Sequence, residues 1–290
     1  MVHYGDPAPT RCALRALVAD GSAVRRTLVV VDAGGLDPAS AALADQVVES
    51  ADNPGYGASA NRGIRGLTHT AAESDFAAYL VLNHDVRIEP GFLARAATVC
   101  QQRVGAAGGP LRRSDGSLWY AGGGVRWLTG TVIQHRDERR ASRAHDVRFI
   151  PATALVVQPA AWHEIGGFDP YFFLYNEDVD LCLRLSRRGW RLRFDPALCA
   201  VHDLGTATGS SARSALYLEH LARGRLRPFS PWPYRLYLAL LHSAWVAVRA
   251  AGLLVRHGRA GGPRARALVR GHAAALASLI ERRETSLGAG

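Results

Sequence analysis

Over the first 110 residues, apolar runs alternate with segments of helical period. Thr27-Leu28-Val29-Val30-Val31-Asp32 is a continuous apolar run closed by an acid, and Tyr79-Leu80-Val81-Leu82-Asn83 is a second. Unbroken β-branched runs of this length predict strands covered on both faces, as in a parallel sheet. Between and after them the spacing predicts helices over about 10–19, 39–44, 58–67 and 91–103. Strands separated by such helices predict right-handed βαβ units. Sheets of this kind bind ligands beyond the carboxyl ends of their strands. Asp32 and Asp85 fall at or just past two such ends.

From 108 to about 149 the pattern changes to glycine-rich turns with short strand candidates at 119–121 and 132–134, followed by another at 154–157. The runs Gly108-Gly109 and Gly122-Gly123-Gly124 lack the strand–loop–helix setting and the lysine of a phosphate loop, so they read as turns. A helix is predicted over 177–188, with Asn176 as N-cap and Gly189 just past its end. Within it Asp180 and Arg184 are four apart, the spacing of a surface ion pair.

Composition adds one distinction. The chain has 290 residues, 48% hydrophobic and 21% charged, which excludes a disordered, collagenous or coiled-coil protein. All 35 basic residues are Arg; absence of Lys reads as compositional bias and carries no function. Residues 1–211 hold 22 Arg and 22 acids, whereas 212–290 hold 13 Arg and 3 acids, so the net charge of +10 belongs to the last segment. A neutral body with a basic appendage predicts contact with an anionic surface. Cys12, Cys100, Cys182 and Cys199 show no metal-like spacing and are expected as reduced thiols. The amino terminus lacks the pattern of a signal peptide, which with the thiols predicts the cytoplasm or its membrane face.

The densest polar constellation is Tyr175-Asn176-Glu177-Asp178-Val179-Asp180, where three acids open a helix after an aromatic run. Acids there suit the helix dipole without any chemistry. The wider segment "FFLYNEDVDLCLRLSRRGW" resembles the Glu-Asp motif of family-2 glycosyltransferases, bacterial rhamnosyltransferase-like members above all. "NPGYGASANRGI", "LVLNHDVRIEPGFL" and "VHDLGTATG" resemble further segments of that family, in family order. The resemblance implies a GT-A fold, an αβα sandwich on a mostly parallel sheet. Residues 1–211 are then the catalytic domain, with the nucleotide part over 1–110 and the acceptor part over 111–211.

The activity so implied is inverting transfer of a sugar, rhamnose first, from a nucleotide diphosphate to a cell-envelope glycan or polyprenol-linked saccharide. The implied donor is dTDP-rhamnose or a UDP-hexose. In family register Asp178 is the general base, with Glu177 supporting it. Asp85 and His202 hold a divalent metal, Mg²⁺ or Mn²⁺, and His3, Tyr4, Asp32, Asn53, Asn61 and Asp85 contact the nucleotide-sugar. Where the family has Asn-x-Ser after the second strand, this chain has Ala33-Gly34-Gly35. The alternative is a catalytically silent GT-A-like protein that binds nucleotide-sugar or membrane.

The last 79 residues open a helix near Pro233 that Gly258 stops. Arg235, His242, Arg249 and Arg256 recur every seven residues, which keeps them on one stripe drifting about 20° per repeat. The rest of the surface is apolar. The charge-free run 236–248 is too short to span a bilayer, which needs about 20 residues. An in-plane interfacial helix ranks first, a buried helix close behind. A second helix over 264–283 adds Arg residues for anionic headgroups. Its Arg residues alternate with aliphatics rather than stacking aromatics, so no nucleic-acid partner is expected. A homodimer is kept as an option.

Overall fold

In the computed structural model the described residues are 1–70, 72, 75–203 and 214–287. The first half of the body runs β1 (Val2–His3), α1 (Pro7–Val18), β2 (Val29–Asp32), α2 (Pro38–Ala41), β3 (Gln46–Glu49), α3 (Tyr56–Thr70), β4 (Tyr79–Leu82), β5 (Val86–Ile88), α4 (Phe92–Val99) and β6 (Val104–Gly108). Then follow β7 (Leu111–Arg112), β8 (Leu118–Tyr120), β9 (Gly123–Arg126), β10 (Thr131–Gln134), α5 (Glu138–Ala141), β11 (His145–Val147) and β12 (Ala154–Val157). The body closes with α6 (Pro159–Ile165), α7 (Glu177–Arg187), β13 (Arg191–Phe194) and β14 (Ala200–His202). The appendage is α8 (Ala215–Gly224), α9 (Trp232–His257) and α10 (Gly262–Leu287).

β1, β2 and β3 are parallel, and a parallel bridge from Val2 to Asn83 joins them to β4. Beyond β4 the sheet continues through β12, β6, β13 and β11, giving the order β3-β2-β1-β4-β12-β6-β13-β11. β12 runs antiparallel to β4 and β6, and β11 antiparallel to β13, while β13 and β6 are parallel. The expected mostly parallel sheet is thus present, with β12 reversed in its middle and β11 reversed at its edge. α3 packs on β1–β3, and α6 and α7 on β6 and β13. The core between these layers includes Val30, Leu82, Ala106, Val156 and Phe194, all 1% exposed or less.

Local chemistry explains the boundaries. Asp6 opens α1 by accepting the Ala8 N–H at 2.9 Å, with Pro7 in the first position. Asp37 does the same for α2 through the Ser40 N–H at 2.8 Å. Several strands lie outside the expected set, among them β3, β6 and β13. β3 is an edge strand of mixed polarity, β6 is Gly/Ala-rich, and β13 alternates Arg with apolar residues. Gly123 and Gly124, expected as a turn, are in β9. A side chain at Gly123 would meet the Ile133 carbonyl at 2.7 Å, so glycine there permits the close hairpin with β10.

The appendage is docked, not loose. Asn176 and Tyr175 of the body meet Leu221 and Tyr217 of α8, the start of α9 is held by hydrogen bonds from Tyr234 and Tyr237 to the β9–β10 turn, and Arg270 of α10 pairs with Glu219 of α8 at 2.7 Å. The seven-residue stripe turns inward at its start: Arg235 and His242 are buried. The outward face of α9 is apolar, with Leu240 67%, Val248 75% and Val255 86% exposed. By length and composition alone, Trp232–Leu279 is one candidate membrane span, with mean hydropathy 1.7.

Candidate active site

The acids Glu177 and Asp178 open α7 at the carboxyl edge of the sheet. The two residues before them, Tyr175 (φ 67°) and Asn176 (φ 68°), are both left-handed, a costly pair for non-glycine residues and common at functional sites. Contacts from α8 brace this turn. The Tyr175 ring packs edge-on against Tyr217 at 4.8 Å, Phe173 stacks on His220 at 4.7 Å, and the Asn176 amide donates to the Leu221 carbonyl at 3.3 Å. Asn176 therefore sits at the cap position without capping the helix.

Asp178 Oδ1 accepts the Val179 N–H at 2.8 Å and Oδ2 the Ala152 N–H at 3.4 Å. Burial raises the Asp178 carboxyl above its ordinary range and outweighs these two donors. Glu177 is raised further, by burial and by the neighbouring Asp178 charge. Expected as a surface pair, Asp180 and Arg184 are instead an internal one at 2.6 Å. Asp180 is 4% exposed, and Arg184 also donates to the Ile165 carbonyl at 2.7 Å.

Residues 152–153 connect Asp178 to the opposite side of the site. The Thr153 carbonyl accepts the Asn83 N–H at 3.0 Å, and the Ala152 carbonyl accepts the Tyr56 hydroxyl at 2.7 Å. Tyr56 is a site residue that sequence reasoning passed over, although its motif, "NPGYG", was in view. Burial and the fields of Glu177, Asp178 and Asp85 push its hydroxyl above the ordinary range, so it stays a donor. Gly55 (φ 97°) lets the start of α3 come close to the aromatic segment, where the Tyr56 N–H donates to the Phe173 carbonyl at 2.9 Å: a Cβ on Gly55 would lie 2.3 Å from that carbonyl.

Asp85 follows β4, and β14 pairs with β5 so that His202 lies opposite Val86. This register brings His202 Nε2 to 3.3 Å from Asp85 Oδ1. Both side chains are buried, and Asp85 Oδ1 and His202 Nδ1 have no hydrogen-bond partner among the described residues. A carboxylate oxygen and an imidazole of this kind fit a divalent cation of the Mg²⁺ or Mn²⁺ class. Among the described residues no third His, Cys, Asp or Glu joins them. Trp119 packs edge-on to the His202 ring at 5.3 Å and fixes its plane. Residues 204–209 of the "VHDLGTATG" segment lie outside the described residues.

The remaining predicted residues divide. His3 is fully buried at the end of β1, with Nδ1 2.6 Å from Thr10 Oγ1 and its ring edge-on to His84 at 5.7 Å. Burial lowers both His3 and His84, so they are neutral imidazoles. Tyr4 is 51% exposed, free to stack on a ligand. Asp32 Oδ1 accepts the Gly34 and Leu36 N–H groups at 2.8 and 3.4 Å, ordering the unusual Ala33-Gly34-Gly35 turn. Asn53 lies in the turn before α3 with φ 37°. Asn61, expected at the nucleotide, is held by the protein itself. Its amide donates to the Phe168 carbonyl at 2.8 Å and accepts the Phe168 N–H at 3.0 Å, a clamp that uses both ends of the side chain.

A cavity of about 310 Å³ lined by Met1, Leu28, Val29, Phe76 and Tyr79 lies at the amino ends of β1, β2 and β4, away from these acids. Of the cysteines, Cys100 and Cys182 are buried and their thiols are pushed up by burial, to about 12 for Cys100; all four are unpaired.

A family model described as glycosyltransferase-like family 2 matches residues 15–227. An N-acetylglucosaminyl-diphospho-decaprenol L-rhamnosyltransferase of Mycobacterium tuberculosis is 28% identical over 216 residues, covering 67% of this chain and 66% of that one. The chain thus spans just under two thirds of that relative's length. The rhamnosyltransferase WbbL of Escherichia coli K12 is 46% identical over 48 residues, 17% of this chain and 18% of that protein. Among solved structures, a mannosyltransferase from Pyrobaculum calidifontis, in complex with GDP-Man and Mn²⁺, superposes with a TM-score of 0.54 at 14% identity. It covers 95% of this chain and 85% of that one, which is a likeness of fold.

Proposed function

The chain belongs to the glycosyltransferase-like family 2 and has the GT-A fold, and on that premise we propose that it is an inverting rhamnosyltransferase acting on a polyprenol-linked saccharide at the cytoplasmic membrane face. One observation carries the reading. Residues 152–153 tie both acids to one place: the Ala152 N–H donates to Asp178 at 3.4 Å and the Thr153 carbonyl accepts the N–H of Asn83, two residues before Asp85, so a general base and a candidate cation-binding acid face one site. Rhamnose as the sugar and a polyprenol-linked acceptor are supported by the relative from M. tuberculosis.

In this reading Asp178 takes the proton of the acceptor hydroxyl as its oxygen bonds to the anomeric carbon. The bond from that carbon to the diphosphate breaks on the opposite face, and its electron pair leaves with the nucleotide. A raised carboxyl suits the first task, because a stronger base accepts the proton earlier. Burial and the Asp178 charge raise Glu177 further and favour its neutral form, so it does not add a second full negative charge beside the base. A divalent cation, when bound by Asp85 and His202, would neutralise charge developing on the diphosphate. The Tyr56 hydroxyl fixes residues 152–153, and with them the orientation of Asp178.

Peripheral membrane attachment is supported by the outward apolar face of α9 and the Arg excess of the appendage. The inward-facing Arg235 and His242 favour a helix lying in the plane of the interface over one that crosses it. The test is a thermal-shift screen of dTDP-, UDP- and GDP-sugars with and without Mn²⁺, followed by transfer to a lipid-linked N-acetylglucosamine acceptor. Stabilisation by dTDP-rhamnose and transfer with inversion are expected. A donor that binds but is never transferred would favour a silent binding protein instead.

A further inference from the structure

The three helices of the appendage enclose a groove of about 560 Å³. Arg249, Arg256, His257 and Arg264 supply its charge, and Trp245 and Leu253 are among its apolar walls. No acid lines it among the described residues. Arg249, Arg256 and Arg264 form no ion pair with a described carboxylate, in contrast to Arg270, which reaches Glu219 at 2.7 Å. Three guanidiniums around one groove repel each other unless an anion joins them. The Arg249 guanidinium lies 5.4 Å over the Trp245 ring, which orients it beside apolar surface.

The surroundings narrow the choice of anion. Val248 belongs to the groove wall and, at 75% exposure, to the outward apolar row of α9, so charged groove and apolar row are continuous. A ligand that uses both has an acidic head and a hydrocarbon tail. α8 also touches both places: Leu218 lines the groove, while its neighbour Tyr217 packs on Tyr175, two residues before Glu177. A bilayer phospholipid with a phosphodiester head brings one negative charge at the phosphate. A diphosphate brings at least two, the better match to three arginines.

We infer that this groove binds the diphosphate of an isoprenoid-linked acceptor, with the chain's hydrocarbon along the α9 face. The inference rests on the membrane-facing acceptor reading above and adds the site of the acceptor's lipid diphosphate. Arg249 and Arg256 contact the phosphates, and Trp245 lines the path of the first isoprene units.

The experiment is a binding titration of full-length protein with farnesyl diphosphate below its micelle concentration, read by calorimetry and by quenching of the tryptophan fluorescence that Trp245→Phe removes. Saturable one-to-one binding is expected. The double variant Arg249→Glu/Arg256→Glu should weaken it at least about tenfold, on the scale of losing one charge-assisted contact. Charge reversal of Arg259 and Arg266, outside the groove, should leave it unchanged. Nucleotide-sugar thermal shifts should be the same in all variants, which separates this inference from the donor reading. Farnesol and inorganic pyrophosphate should each bind far more weakly than farnesyl diphosphate. Pyrophosphate binding as tightly would overturn the lipid assignment. So would a double variant that releases phosphatidylglycerol vesicles while still binding farnesyl diphosphate. A protein that binds the probe but transfers sugar to no lipid acceptor would sink the proposed function and leave the groove standing.

Discussion

Asp178→Asn replaces the proposed base by an isosteric amide, and the structure sets what the change costs. Both carboxylate oxygens accept backbone N–H groups, from Val179 at 2.8 Å and Ala152 at 3.4 Å. An amide keeps one acceptor and turns its NH₂ toward the other donor, so one hydrogen bond is lost, about 1–3 kcal/mol for an unsatisfied buried group. Removing a buried charge next to Glu177 offsets part of that loss, and the fold and donor binding should survive. Transfer should fall by roughly 10²–10⁴, the share of general-base catalysis, equivalent to ~2.7–5.5 kcal/mol of activation free energy. The pH profile supplies an independent signature. Burial raises the Asp178 carboxyl, and the base works only when deprotonated. Wild-type transfer should therefore decline on acidification at a pH above the ordinary Asp value of 3.8, and Asp178→Asn should lose that limb. The assay is radiolabelled sugar transfer against pH, with donor hydrolysis and nucleotide thermal shift as controls. Near-normal transfer, or an acid limb unchanged in the variant, would refute the role of Asp178 and leave Glu177 as the base.

Asp85→Ala and His202→Ala should each reduce Mn²⁺-dependent stabilisation by the nucleotide-sugar while leaving metal-free affinity intact; activity indifferent to EDTA and to both changes would remove the cation from the mechanism. Tyr56→Phe should cost about 1–3 kcal/mol by leaving the Ala152 carbonyl unpaired, and should lower transfer more than nucleotide affinity, since it acts through Asp178; an unchanged melting temperature and rate would contradict that. His242, held neutral by burial with its value lowered to about 3 from 6.5, contributes stability that is complete above 6.5 and lost as pH falls toward 3. At ~1.4 kcal/mol per unit this is roughly 5 kcal/mol at most, so His242→Phe should flatten the acid side of a chemical-denaturation series, and an identical pH slope would show that His242 is not the group responsible.

The chemistry-bearing segments were legible because they are local. A β-branched run closing on Asp32 and a helix opening on Glu177-Asp178 each follow from neighbours within one or two turns. The same holds for α9, which a proline opens and Gly258 closes. Strand β6 escaped notice because Gly105 and Gly108 are there for want of space: a Cβ would meet Trp190 at 2.7 Å or Ile150 at 2.5 Å. Such crowding is a property of the packed molecule and leaves no periodic trace in the chain.

Distance in sequence hid the rest. Asn61 looked free until Phe168, 107 residues away, took both ends of its amide. Asp180 and Arg184 have the spacing of a surface pair, and only the packing around α7 places them inside. Tyr56 acquires a role because α3 brings it to Ala152, 96 residues on. The heptad of Arg235, His242, Arg249 and Arg256 determined that a stripe exists; which way it faces depended on α8 and α10. They bury its first half and surround its second half with a groove, while the apolar side is left outward. Sequence period fixes which residues share a face, but the direction of that face is decided by the partners that compete to cover it.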